Sequence, residues 1–222
     1  YRTDTLPAIA ALAQRMARLR RNDTYLAGMW RSTLLSDIQW ETFRYRPRQE
    51  SGLPTWSWAT TGGAFYDSYQ HTLGSVEILS LDYTPVGPAE IGQIKNAVLT
   101  IRGPTLPVQV RTSSSDAKSG TDSDAGFETD SNYYIEFKFS QQVPFWSEQE
   151  IKFSPDYRLS PEFCLNRSQA FLAIFLVGGD IYKSAGLMLR QIGTVYERVG
   201  WFYLLKVYIK DSELVMEHLA QL

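Results

Sequence analysis

The stretch FLAIFLVGGDIYKSAGLMLRQIGTVYERVGWFYLLKVYIK, residues 171–210, decides the fold class. It holds three runs of β-type residues, at 171–177, 186–192 and 200–208, parted by Gly178-Gly179-Asp180 and by Gly193. Each run has strand length, and Gly-rich breaks are where a chain reverses direction. Working back toward the N-terminus, further candidate strands lie at 76–83, 97–102, 108–112 and 133–139. Two of them alternate. Val98, Thr100 and Arg102 oppose Leu99 and Ile101, and Tyr134, Glu136 and Lys138 oppose Ile135, Phe137 and Phe139. Alternation of this kind marks a strand with one wet face and one dry face. Many short strands with turn signals such as Gly87-Pro88 and Gly103-Pro104 predict a mainly antiparallel barrel or sandwich.

The first forty residues have a different period. Leu6, Ile9, Leu12, Ala13, Met16 and Leu19 recur at three- and four-residue steps and form one helical stripe. Asp4 and Thr5 suit its cap, Pro7 its first turn, and Arg15, Arg18, Arg20 and Arg21 its C-terminal end. After Asn22-Asp23-Thr24, the residues Leu26, Met29, Trp30, Leu34, Ile38 and Trp40 predict a second helix and so a helical hairpin. The fold expected is α+β: a helical hairpin over 1–43, then a β-rich domain over 44–222. Residues 112–132, rich in Ser, Asp and Gly, read as a mobile acidic insert with too little apolar surface to order itself.

Composition narrows the function. The 222 residues are 44% hydrophobic and 14% aromatic, enough for a packed core. With 22 basic against 24 acidic residues the net charge is −2, which gives no general pull toward nucleic acid. Cys164 is the single cysteine, which excludes a disulfide scaffold. The longest apolar run, 170–177, falls short of the roughly 20 residues a membrane-spanning helix needs. No secretory signal opens the chain, which begins at Tyr1, so it reads as a soluble cytoplasmic fragment of a longer protein.

Chemistry-bearing motifs are sparse. His71, His218 and Cys164 lack zinc-ligand spacing. There is no Gly-x-Ser-x-Gly elbow and no phosphate-cradling Gly-x-x-x-x-Gly-Lys loop. No catalytic residue, cofactor or metal is therefore expected, although Asp82, Glu136, Glu150 and Glu197 leave open a site assembled from distant carboxylates. Trp56 and Trp58 are two apart, which in an extended strand puts both indoles on one face. They form either a core anchor for the helices or a stacking platform for a sugar.

Three blocks carry a family resemblance. They are Asp4-Thr5-Leu6-Pro7-Ala8-Ile9-Ala10-Ala11-Leu12-Ala13, then Asp23-Thr24-Tyr25-Leu26-Ala27-Gly28-Met29-Trp30, then Pro54-Thr55-Trp56-Ser57-Trp58-Ala59-Thr60. In this order the chain resembles fungal heterokaryon-incompatibility (HET) domain proteins, in the region that follows the HET domain itself. Leu6, Pro7, Tyr25, Leu26, Gly28, Trp30, Pro54, Trp56, Ser57 and Trp58 match the pattern, whereas Thr5, Met29 and Thr61-Gly62-Gly63 depart from it. Tyr196-Glu197-Arg198-Val199-Gly200 is similar to a motif near the end of such proteins. The resemblance implies a non-catalytic interaction or regulatory region, acting in non-self recognition and programmed cell death. It also implies a partner, either the HET domain of the same chain or another protein. The alternative is an enzymatic or ligand-binding β domain with an aromatic-lined pocket for carbohydrate.

Overall fold

The computed structural model describes residues 5–42, 52–61, 63–66, 72–86, 94–112, 133–137, 150–159, 170–180 and 183–205. The insert at 112–132 lies outside them except for its first residue, as do His71, Cys164 and His218. Among the described residues the chain is mostly β, with few helices.

One six-stranded antiparallel sheet organises the rest. Its strands are β7 (Thr105–Thr112), β8 (Tyr133–Phe137), β9 (Glu150–Pro155), β10 (Phe171–Asp180), β11 (Lys183–Ile192) and β12 (Val195–Leu205), in the order β8-β7-β10-β11-β12-β9. Strands β10, β11 and β12 form a meander, with Ile174 opposite Leu187 and Leu187 opposite Trp201. The sheet curls until its two edges, β8 and β9, approach one another, which makes it a half-barrel.

The curl gives the sheet two dry faces. Phe171, Ala173, Phe175, Met188 and Phe202 pack inside with Leu106, Val108, Val110 and Phe153. Ile174, Leu176, Leu187 and Trp201 face outward and are covered by the N-terminal segment and by a separate ribbon. A strand dry on both faces has no polar positions to alternate, which explains why 171–177 is uninterruptedly apolar. Gly186 is required by this packing, since a Cβ there would meet the Ile174 carbonyl oxygen at 1.9 Å.

The covering ribbon is β5 (Glu77–Pro85) paired with β6 (Ile94–Arg102). Ile78, Leu81, Tyr83, Ala97, Leu99 and Ile101 pack on the outer core, while Leu79 and Val98 are exposed. The alternation read from residues 97–102 is the dry and wet sides of this ribbon.

The N-terminal segment departs from a helical hairpin. Helix α1 (Thr5–Ala17) forms as expected. In place of a second helix there is a β-hairpin, β1 (Tyr25–Leu26) and β2 (Met29–Trp30), then a 3₁₀ turn and the short α2 (Leu34–Asp37). Ala27 and Gly28 have φ of 50° and 90°, both in the left-handed region. Positive φ at both centre residues is what a type I′ two-residue hairpin turn demands, and it cannot occur inside an α-helix. Strand β3 (Glu41–Thr42) then pairs with β4 (Ala64–Phe65). Within the described part of this segment, Leu26, Met29, Leu34, Ile38 and Trp40 share one core with β10–β12.

Residues 54–60 also differ from expectation. They are not a strand but a turn, with the Ser57 amide donating to the Pro54 carbonyl, leading into a 3₁₀ turn over Trp58–Thr60. Trp56 and Trp58 do not share a strand face.

Candidate functional site

The hairpin turn at Ala27-Gly28 and the Trp56-Ser57-Trp58 turn hold each other. A tight turn leaves backbone carbonyls that must find donors once buried. The Ser57 hydroxyl donates to the Ala27 carbonyl at 2.6 Å, and Trp58 Nε1 donates to the Gly28 carbonyl at 2.9 Å. Ser57 Oγ also accepts from the Ala59 amide, which caps the 3₁₀ turn. A Cβ on Gly28 would lie 2.7 Å from Trp58 Nε1 and 3.2 Å from a Leu6 methyl. Close approach and positive φ both require glycine there. Trp40 Nε1 donates to the Trp56 carbonyl at 2.8 Å, and Trp56 is buried in the outer core.

Below this knot lies Arg198. It is 2% exposed, in β12 next to a β-bulge at Val199, where Met188 pairs with Gly200 but Leu189 pairs with Arg198. The extra residue changes the parity of the strand. Counting by strict alternation, residue 198 would face inward with Phe202; after the bulge it faces the same side as Trp201 and meets Trp40. Arg198 Nε and Nη2 donate to the two oxygens of Asp156 at 2.8 and 3.1 Å. Nη1 donates to the Ile38 carbonyl and Nη2 also to the Trp40 carbonyl. The guanidinium carbon stands 3.5 Å from the centroid of the Trp40 ring. The Arg198 amide donates to Thr55 Oγ1 at 3.0 Å.

Arginine suits this place because its planar fork satisfies a carboxylate and two carbonyls together while its face stacks on an indole. Burial lowers the Arg198 pKa from its ordinary value, and the charges of Asp156 and Glu41 oppose that shift. Glu41, itself buried, accepts from the Tyr203 hydroxyl.

A second polar cluster surrounds the hairpin base. Tyr25 packs edge-on against Trp30 at 5.0 Å, and the Arg20 guanidinium lies over the Trp30 ring, 5.0 Å from its centroid. Asp37 accepts from Thr33 Oγ1 at 2.7 Å and from the Trp30 amide at 3.3 Å. Burial pushes the Asp37 pKa up, against those two hydrogen bonds. Burial, with Asp37 adding to it, pushes the Tyr25 hydroxyl up to about 12. Asp23 is the opposite case. Burial opposes its charge, but donation from Ser32, Thr24 and Arg20 outweighs burial and holds its pKa below 3.8.

Most of the motif residues converge. Leu6, Leu26, Gly28, Trp56, Ser57 and Trp58 meet in one knot, with Tyr25 and Trp30 at its rim and Pro54 starting its second turn. Pro7 is exposed on α1 and takes no part. Of the carboxylates considered as a distributed site, Glu197 pairs with Arg190 and exposed Asp82 accepts from Ser80. Arg198 falls within the motif at 196–200, where sequence reasoning gave it no role of its own, and Asp156 is the residue it missed. Among the described residues no group of His, Cys, Asp or Glu is arranged to hold a metal ion, and no helix is long and apolar enough to cross a membrane. Comparisons of the chain with protein-family models, with curated proteins and with solved structures give no match.

Proposed function

We propose that the chain is a non-catalytic interaction or regulatory region of a fungal HET-type protein, acting in non-self recognition and programmed cell death. One observation carries the reading. The blocks on which the resemblance rests, spread from Leu6 to Gly200 in sequence, meet around Arg198 and Trp58. Shared motifs that build one another's packing are what a common scaffold needs. The polar groups of the junction are engaged with each other: Arg198 with Asp156 and backbone carbonyls, Ser57 and Trp58 with the hairpin turn. Acid–base chemistry needs a group within reach of a substrate, and a guanidinium 2% exposed is not. The indole N–H groups of Trp40 and Trp58 are bound to backbone carbonyls rather than presented to a sugar.

Titration of a purified fungal HET domain into the protein, followed by NMR, tests the reading. Specific shift changes are expected, with no turnover of NAD, nucleoside triphosphates or model glycosides by the protein alone. Turnover that survives repurification and vanishes on mutating one carboxylate would establish an enzyme. Stabilisation by a glycan of more than about 1 kcal/mol at saturation would establish the carbohydrate-binding alternative.

A further inference from the structure

The chain has 22 lysines and arginines, and in one place only do two stand side by side, at Arg20-Arg21. With Arg18 ahead of that pair the run reads Arg18-Leu19-Arg20-Arg21, followed by Asn22. It lies outside regular structure, between the end of α1 at Ala17 and the start of β1 at Tyr25. Arg18, Leu19, Arg21 and Asn22 are exposed. Cations complement the last turn of a helix, and Arg15 does so here, but the three later arginines lie beyond that turn.

A protease takes its substrate as an extended strand, so a site for one must leave its folded path easily. The Leu19 and Arg20 amides both donate to the Met16 carbonyl, and the Asp23 amide donates to the Arg20 carbonyl. Among the described residues neither Arg21 nor Asn22 makes a backbone hydrogen bond. None of residues 14–17 is buried, so the end of α1 has little packing to lose when it unwinds. Arg20 is held by Asp23 at 3.1 Å and over the Trp30 ring, yet its side chain stays 34% exposed. Ion pairs that wet are weak. The two sides of the run also separate cleanly. Helix α1 buries Leu6 and Ala13 and contributes no residue to the inner or the outer core. Downstream, Asp23 is fixed to the body by the Ser32 amide and hydroxyl.

We propose that Arg18-Leu19-Arg20-Arg21 is a processing site, cut after Arg21 by an endoprotease whose subsites carry carboxylates for paired arginines. Water is the co-reactant. The Arg21–Asn22 amide bond breaks, Arg21 keeps a new carboxylate and Asn22 gains an α-ammonium. Cutting detaches α1, with anything N-terminal to it, and uncovers the hairpin turn at Gly28 on which Leu6 leans. The new ammonium lies one residue from Asp23, which loses Arg20 in the same event. The inference goes beyond the interaction-region reading and does not depend on it.

The test digests the folded protein with a subtilisin-type endoprotease selective for paired basic residues and reads the products by intact mass. One cut is expected, between Arg21 and Asn22. Residues 22–222 should be recovered free of the N-terminal fragment, with a cooperative melting transition. Arg20→Gln and Arg18→Gln should each slow the cut at least about tenfold, because each removes a charge-assisted contact to an acidic subsite. Arg31→Gln, at an exposed arginine with no basic neighbour, should leave the rate unchanged. If Arg20→Gln fails to fold, Arg18→Gln decides, since Arg18 is exposed. A protein that stays intact overturns the proposal. So do cutting at isolated arginines at the same rate and a rate insensitive to the Gln substitutions at 18 and 20. A fragment that stays bound after the cut, or a 22–222 product without a melting transition, overturns it as well.

Discussion

Helix α1 and the Arg198 junction handle their side chains in opposite ways. In α1 the buried residues are Leu6 and Ala13, while Leu12 and Met16, with Leu19 in the turn that follows, face solvent. At the junction, an arginine, a serine and three indoles are interlocked, and the hydrogen bonds bridge segments 16 to 160 residues apart. Helical periodicity therefore marks two different things in this chain. Part of the α1 stripe is core, and part is exposed to solvent. The junction, by contrast, is built from single polar atoms placed to satisfy carbonyls that turns and chain crossings would otherwise leave bare.

The contrast can be broken at its strongest point first. Arg198→Ala removes the guanidinium from buried Asp156 and from the Ile38 and Trp40 carbonyls. The expected loss is about 3–5 kcal/mol in urea unfolding, and Asp156→Asn follows the same direction. A loss under about 1 kcal/mol would mean that the junction admits water and is not the lock described. Trp56→Ala or Trp58→Ala is expected to cost a similar amount, about 3–5 kcal/mol, by core truncation. An unchanged melting temperature together with lost ligand binding would instead make the pair a binding platform. Ser57→Ala, which strips one hydroxyl from the Ala27 carbonyl, should cost about 1–3 kcal/mol.

Asp23 gives a smaller effect with a definite sign. Its pKa is lowered in the folded state, so its contribution is complete above the ordinary value of 3.8 and is lost as pH falls through the lowered pKa. Asp23→Asn should flatten the acid limb of the stability profile, with its loss greatest at neutral pH and smallest below the lowered pKa. An unaltered acid limb would remove Asp23 as a source of acid sensitivity. The smallest effect belongs to α1: Leu12→Ser or Met16→Ser should stay within about 0.5 kcal/mol of the parent protein in the same urea titration. A larger loss would show that the stripe is core after all, and the comparison would collapse.

Strand content was legible because alternation and two-sided burial write different patterns. Residues 97–102 alternate and lie on a half-wet ribbon; 171–177 do not alternate and lie between two cores. Strand β9 escaped notice, since Glu150–Pro155 mixes charge and proline and pairs along an edge. The second helix was misread for a stated reason. Leu26, Met29, Trp30 and Leu34 recur at helical steps, yet Ala27-Gly28 reverses the chain between them, and Ala-Gly is a weaker turn signal than Asn-Gly. Trp56 and Trp58 misled in the same way: a two-residue spacing suggests a strand, but the turn beginning at Pro54 separates the indoles. Arg198 stands in the motif at 196–200, but its burial left only one faint mark. It is a charge just before the apolar run Val199–Phe202, in a strand whose Gly200 permits no Cβ because Ser154 O would lie 2.5 Å away. A bulge is invisible to periodicity, because it consists of one residue breaking the period.

The span of the Arg198 contacts bears on how the chain is made. Its donors reach carbonyls at Ile38 and Trp40, 160 and 158 residues earlier. At roughly 5–20 residues per second, a ribosome takes about 8–30 s to add that length of chain. Throughout that interval Trp40 and the hairpin turn are outside the ribosome or in its exit tunnel without the strand that caps them. The N-terminal segment is thus completed last although it is synthesised first. Nascent chains stalled before residue 198 should be protease-sensitive at residues 25–42 and 52–60, and those released after residue 205 should be protected there.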